Sequence, residues 1–518
     1  MSLLLALLVL LPLGAALALL LLPRGPGEAV AASAGVATSA LTLAVSVLTL
    51  AAEPWASGTA VLDLNASWIP DLSSRLHVTL DGVSAAHVLL TTALGLAAAV
   101  MVARHPPEGG SVRSLVVCLL VVQAGAVATF LAADLILFFV AFEVVLVPMW
   151  AIIRWWGDPH DASARRDGAA RFVLFTALGS ALMLAGLLLV AITTGTTDLV
   201  ELAAQQGAGV TRTTQVVAAA LLVAGLAVKV PVWPLHTWLA PAHTAAPTVG
   251  SLLLAGVLLK MGSYGLVRVV VPVMPEGFAA VAPVLGALGV VGILWGGLAC
   301  LVERDLKRLV AFSSVAHMGF VVLGIASGTP QGLQGAMFAN IAHGVITGLL
   351  FVVAGGLKDR YGSASLATIG GGLRDRSPRL GALLAVGCVA GLGLPGLAGF
   401  WGELLAVYGA WQSRTEGEPA LWRTLAVLAV VGTALAAAYL LRVLHEIWHG
   451  ARAETDADAV AGPAAGLAPA SRDATGTELV VGVPLAVVTV VLGLLPWLLL
   501  RLTEPTVRHL LGLGRGEV

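Results

Sequence analysis

The sequence predicts an all-α, polytopic membrane protein of about fourteen transmembrane helices, and three observations predict it. Of 518 residues, 58% are hydrophobic and 11% charged, with a mean hydropathy of +0.96; a soluble domain carries about 25% charged residues. The apolar residues fall into stretches of about 20, the length that crosses a bilayer core. Lysine and arginine favour alternate connecting loops, as the positive-inside bias requires. The same figures exclude other classes. A disordered chain would be polar and charge-rich, and a net charge of −1 offers no basic field for nucleic acid. Cys118, Cys300 and Cys388 stand too far apart for a four-thiolate cluster and are too few for a disulfide framework.

In chain order, the first apolar stretch, 3–22, lacks a basic leader and a small-residue cleavage site, so it is read as a retained helix rather than a signal peptide. Further crossings follow at 30–52, 83–103, 114–132, 134–153, 172–194, 215–235, 248–270, 278–301, 309–328, 335–356, 381–410, 422–447 and 479–500. An even number puts both termini on one side. With the termini outside, eighteen Lys and Arg residues lie inside and eight outside, and Lys229 and Lys260 fall within helices. The polar stretches 53–82, 154–171, 357–380 and 448–478 are too short for a soluble domain with its own core. The last is Ala-, Asp- and Pro-rich and reads as a flexible inside loop. No Walker motif and no G-x-G-x-x-G after a strand is present, so no nucleotide site is expected.

Ionisable residues inside the spans carry the functional signal. Glu143 sits in ILFFVAFEVVLVPMW, Lys229 in LLVAGLAVKVPVWPLHTW, Lys260 in SLLLAGVLLKMGSYGLV, His317 in AFSSVAHMGFVV, His343 in NIAHGVITGLL and Glu403 in PGLAGFWGELLAV. A charge at the centre of a helix costs roughly 2.5–3.5 kcal/mol on insertion scales. Six such groups on six helices therefore point to a protonatable chain across the membrane, in which a carboxylate near a lysine decides whether the lysine holds its proton and histidines relay. A structural ion pair explains any one pair equally well, and a single buried histidine such as His343 is often only a satisfied donor. Pro231 and Pro234 after Lys229 break the seventh helix, and Pro395 with its glycines breaks the twelfth. Interrupted spans in corresponding positions predict two inverted five-helix repeats. The expected organisation is a three-helix segment (1–113), a first repeat (114–270), a second (271–447), the loop (448–478) and a C-terminal helix (479–518). Residues 445–449, HEIWH, match a zinc-protease pattern without an evident third ligand; interfacial polar residues ending a helix explain them better.

The segments AVKVPVWPLHTWLAPAHTAAPTVGSLLLAGVLLKMGSYGLVR, DLKRLVAFSSVAHMGFVVLG and GLGLPGLAGFWGELL occur in this order. Together they resemble the antiporter-like subunits of respiratory complex I and of multisubunit cation/proton antiporters, over nearly the whole chain. A glutamate in G-x-x-G-E at Glu403, where related subunits carry lysine, and a chain ending soon after the last span make it similar to the M-type subunits of bacterial NADH–quinone oxidoreductase. The resemblance implies that Glu143 is the carboxylate partner of Lys229, that Lys260 is the central connecting group, that His317 and His343 lie on the path, that Glu403 is the terminal proton site opening outside, and that His236 is the family's histidine seven residues after the lysine. Where the family reads W-L-P-D-A-H this chain reads WLAPAH, with Pro241 in place of the aspartate, which leaves any role of that aspartate in proton uptake without its residue here. The implied function is proton translocation in the membrane arm, driven by redox chemistry elsewhere. NAD, FMN, iron–sulfur clusters and quinone would belong to partner subunits, with no cofactor and no metal in this chain. The implied partners are neighbouring antiporter-like subunits, protons, water and the lipid of a bacterial inner membrane. A sodium/proton antiporter or membrane-bound hydrogenase subunit is the alternative.

Overall fold

The structure is a computed structural model that describes residues 2–21, 27–52, 55, 62–416, 419–450 and 473–513. Among the described residues, thirteen helices are long and apolar enough to cross a membrane. They are α1 (Leu3–Leu21), α2 (Glu28–Ala51), α3 (Gly82–Arg104), α4 (Val112–Leu131), α5 (Leu135–Trp156), α6 (Ala162–Thr194), α7 (Arg212–Lys229), α8 (Thr248–Val273), α9 (Pro275–Val302), α10 (Leu306–Ala326), α11 (Pro330–Tyr361), α13 (Pro419–His449) and α14 (Gly476–Leu494). The stretch expected as one crossing at 381–410 is two shorter helices, Pro378–Gly391 and Ala398–Gln412, together called α12. The flexible loop expected at 448–478 lies mostly outside the described residues.

Aspartates start many of these helices. Asp81, Asp134, Asp161 and Asp305 accept backbone N–H groups at the heads of α3, α5, α6 and α10, which satisfies donors the helix itself leaves open. The helices then differ in depth. α8, α10 and α11 are almost wholly buried among the others, and they carry the titratable groups Lys260, His317 and His343. α6 exposes Leu174, Leu178 and Ile192, and α1 exposes Leu10 and Leu17. Such outward apolar faces suit a hydrocarbon solvent, where every backbone group must be paired within the chain.

Three features were not evident from the sequence. Residues of the polar stretch 53–82 form an antiparallel hairpin, β1 (Leu62–Ile69) and β2 (Ser74–Leu80), with Leu62 opposite Leu80 and Asn65 opposite His77. An isolated two-stranded hairpin is marginal in water; this one is held by Asp134, which accepts from Ser74 Oγ at 2.9 Å and from Arg75 N at 3.1 Å. Beyond α14, helix α15 (Trp497–Leu510) packs on α3 and α11; Arg501, Glu504 and Arg508 make it too polar to read as a span. Arg268, counted among the outside charges at the end of the span 248–270, lies within α8 and pairs with buried Asp81 at 2.5 Å. Two short backbone bridges also recur: Asp134 with Asp198, before α5 and after α6, and Asp305 with Ser365, before α10 and after α11.

Candidate functional site: a buried file of titratable groups

The central lysine owes its setting to an irregular helix. In α8, residues Leu254–Leu258 and Leu266–Val270 are π-helical and flank Lys260. Such widened turns are frequent at functional sites. Lys260 is fully buried, and its Nζ lies 2.7 Å from the carbonyl of Ala255 and 2.5 Å from Nδ1 of His343 on α11. Thr347 Oγ1, one turn further along α11, stands 3.4 Å from the same nitrogen. The rings of His343 and His317 have centroids 6.0 Å apart. His317 Nδ1 is 3.0 Å from Glu403 Oε1, and Tyr439 of α13 places its hydroxyl 3.3 Å from His317 Nε2. Glu403 is buried and takes a 3.4 Å hydrogen bond from Thr433.

A cavity of about 30 Å³ lies between these groups, bordered by Ser313, His317, His343, Thr347 and Glu403. A water needs roughly 10–15 Å³ of such space and two to four polar partners, and the lining supplies both. The break in α12 is what brings Glu403 here. Gly393 and Gly396 adopt φ of +73° and +95° in the turn between the two halves, a region favouring glycine. At Gly402 a side chain is excluded for another reason: a Cβ there would lie 2.7 Å from the backbone of Ala339 on α11. α12 can thus touch α11 one turn from His343.

The other predicted groups stand apart from this file. Lys229 ends the regular part of α7, before Pro231 and Pro234. Its buried Nζ has no hydrogen-bond partner among the described residues and faces the rings of Phe142 at 5.0 Å and Phe172 at 5.6 Å. Cation–ring attraction offsets part of the cost of such burial. Glu143 instead accepts a hydrogen bond from Ser180 of α6, and no ion pair within 4.0 Å joins it to Lys229, although its charge acts on that amine. His236 packs its ring on Trp295 at 4.4 Å, with neither nitrogen bonded among the described residues.

Two buried groups in this region escaped the sequence reading. His243, at the end of WLAPAH, is fully buried and stacked on Phe351 at 4.5 Å, with both nitrogens unpartnered among the described residues. Lys307, counted as a loop charge, is 3% exposed and donates to the carbonyl of Ala246. Lysines 307 and 260 both act electrostatically on His243. At the surface beside Lys307, Lys358 is ion-paired with Asp158. Burial opposes the charge of Asp158, but the Lys358 pairing and the His160 N–H outweigh it and hold the carboxyl below its ordinary range. A histidine in a motif and a lysine at a helix head looked ordinary; only packing reveals that neither reaches water. HEIWH is a π-helical end to α13, where Glu446 stands 3.8 Å from Arg442 and Trp448 packs on His449. No cluster of three metal-ligating side chains occurs among the described residues.

Fold and site define a class: multi-pass membrane proteins with titratable groups in a buried row and helices broken beside them. Comparison with known proteins names it. Residues 132–435 match the NADH:quinone oxidoreductase/Mrp antiporter transmembrane family. NADH-quinone oxidoreductase subunit M of Rhodobacter capsulatus is 35% identical, over 98% of this chain and 96% of the relative. A chain of respiratory complex I from Thermus thermophilus superposes with a TM-score of 0.82 at 28% identity, over 98% of this chain and 99% of that one. A chain of the Mrp complex from a Dietzia species gives 0.84 at 25%, over 99% and 98%. The protein belongs to the NADH:quinone oxidoreductase/Mrp antiporter family, and within it is similar to subunit M over its whole length.

Proposed function

We propose that this chain is a proton-translocating subunit of the membrane arm of an NADH–quinone oxidoreductase, with its termini on the outer side of a bacterial inner membrane. The observation that carries the reading is the row Lys260, His343, His317 and Glu403, two hydrogen-bonded pairs joined through a cavity large enough for water. The Lys260 ammonium gives its proton to His343 Nδ1. His343 releases its other ring proton from Nε2, which has no partner among the described residues, to a water in the cavity. That water passes a proton to His317, and His317 passes one to Glu403, from which it leaves outward. Each step transfers one proton and no electron. NADH oxidation and quinone reduction, with FMN and iron–sulfur clusters, belong to partner subunits, and neighbouring antiporter-like subunits are the expected lateral contacts.

Lys307 and His243 supply the inner leg, from the Asp158–Lys358 surface to Lys260; this offers a route that does not need the aspartate replaced by Pro241. Glu143 and Lys229 form the control element: displacement of Glu143 on Ser180 changes the proton affinity of Lys229, which is coupled to Lys260 across the α7–α8 contact. There Gly262 leaves only 3.0 Å between a Cβ and Lys229 Cβ. We also read residues 114–270 and 271–447 as inverted repeats. The two backbone bridges support it, because each joins an aspartate-capped helix to the residue leaving the next one, five helices apart.

The test is Lys260→Ala in the complex reconstituted in vesicles. Proton translocation per quinone reduced is expected to fall at least about tenfold, the scale of a lost positioned proton carrier; unchanged translocation would overturn the scheme. The antiporter reading rests on the equally good superposition of the Mrp chain; co-purification with a flavin and iron–sulfur arm supports the quinone-oxidoreductase reading over it.

A further inference from the structure

The hairpin carries an imidazole held between two carboxylates. His77, on β2, is 3% exposed. Its Nδ1 lies 2.7 Å from Asp198 Oδ2, and its Nε2 lies 3.1 Å from Asp63 Oδ2. Ionised carboxylates only accept hydrogen bonds, and a neutral imidazole has one N–H to give. A neutral His77 therefore satisfies one contact and sets a lone pair against the other. Both contacts are hydrogen bonds only when the ring carries both protons.

The position of the clamp gives it consequences. Asp63 belongs to β1, and Asp198 caps the short helix Leu199–Gln205 that connects α6 to α7. The Asp198 backbone is bridged to Asp134, the cap of α5. The carbonyl of His77 accepts from Ala133 N at 2.8 Å. Thus the hairpin is fastened where the helix bearing Glu143 begins and just beyond the end of the helix bearing Ser180. The other charged groups around it are engaged elsewhere: Asp134 with Ser74 and Thr197, Arg75 with Asn65, Glu201 with Thr196, and Arg268, which reaches Thr79 of β2, with Asp81. The described part of α1 brings no charged residue, and Arg113 of α4 lies in the first turn, remote from Ala132.

We propose that His77 is a proton-operated latch on the outer face, closed when its imidazole is charged, which holds the hairpin on the start of α5 and the connection that follows α6 and responds to the pH of the compartment that receives the protons. The outer placement rests on the orientation proposed above; the latch itself does not. Burial opposes the charge on His77, but the hydrogen bonds and negative charges of Asp198 and Asp63 outweigh it and raise its pKa above 6.5. For Asp198 burial also opposes the charge, and His77 with the N–H groups of Glu201 and Val200 outweighs it, keeping the carboxyl below 3.8. The signs follow: the latch is complete below the unfolded histidine value, and opens as pH rises through the raised one. In strong acid it is lost again, as Asp198 becomes protonated.

Hydrogen exchange of the backbone over 62–80, in the purified intact complex, tests the latch without reference to sidedness. After correction for intrinsic rates, protection in the native protein is expected to fall about tenfold between about pH 6 and about pH 9, the scale of losing one hydrogen bond to a charged group. His77→Gln should give the low, open-latch protection at both pH values. His77→Lys, charged throughout this range, should keep protection at the higher pH. If His77→Gln does not assemble, Asp63→Asn at the exposed carboxylate should move the midpoint to lower pH. Native protection independent of pH, or an unchanged midpoint in Asp63→Asn, would overturn the proposal.

Discussion

At the scale of single residues, the site contrasts two ways of keeping an ionisable group out of water. Lys260 and Glu403 have polar partners, His343 and His317; Lys229 has aromatic faces instead. A paired group can pass a proton along a bond already formed, whereas an unpaired one responds to a moving charge. Two variants separate these roles. Glu403→Gln keeps the shape and loses the acceptor, so translocation should fall at least about tenfold, while Glu403→Asp retains part of it; vesicle acidification by the assembled complex reads both. Lys229→Ala should abolish pumping as well; full pumping in that variant would remove Lys229 from the mechanism. Lys229, Lys260, Glu143 and Glu403 were legible in the sequence because a charge in a 20-residue apolar run is costly enough to stand out. His243 and Lys307 were not, since a histidine near a break and a lysine at a helix head are ordinary until their burial is seen.

At the scale of elements, the breaks and close crossings set the geometry. The proline breaks in α7 and α12 were readable because proline cannot donate to the preceding turn. The π-helical turns around Lys260 were not, because no residue type marks them. The approach of α12 to α11 depends on Gly402. Gly402→Leu should overpack that contact at a cost of about 1–3 kcal/mol, seen as a lower melting temperature of the purified complex together with reduced pumping. An equally stable, fully active variant would show that the contact does not position Glu403. The hairpin escaped notice because its strands are short and mostly polar outward; its anchor, Asp134, is distant in sequence from β2.

At the scale of the whole molecule, the row of charges lies inside a bundle whose outer faces are apolar. The proposed sidedness has a direct check. Ser67, exposed on β1, and Ala162, exposed at the head of α6, lie in alternate connections of the topology. A membrane-impermeant thiol reagent should label Ser67→Cys in intact cells and Ala162→Cys only in inverted vesicles. The reverse pattern would place the termini inside and turn the proposed direction of transport around.

Composition and the spacing of apolar runs were enough to determine that this chain is a polytopic helical membrane protein, because a bilayer imposes a length and a polarity on every segment independently of its neighbours. The same local rule exposed the charges that violate it. Which of those charges touch was decided only by tertiary structure. The contacts Lys260–His343 and His317–Glu403 join residues 83 and 86 positions apart, and their distances depend on how helices cross, a property of packed surfaces that no single segment carries.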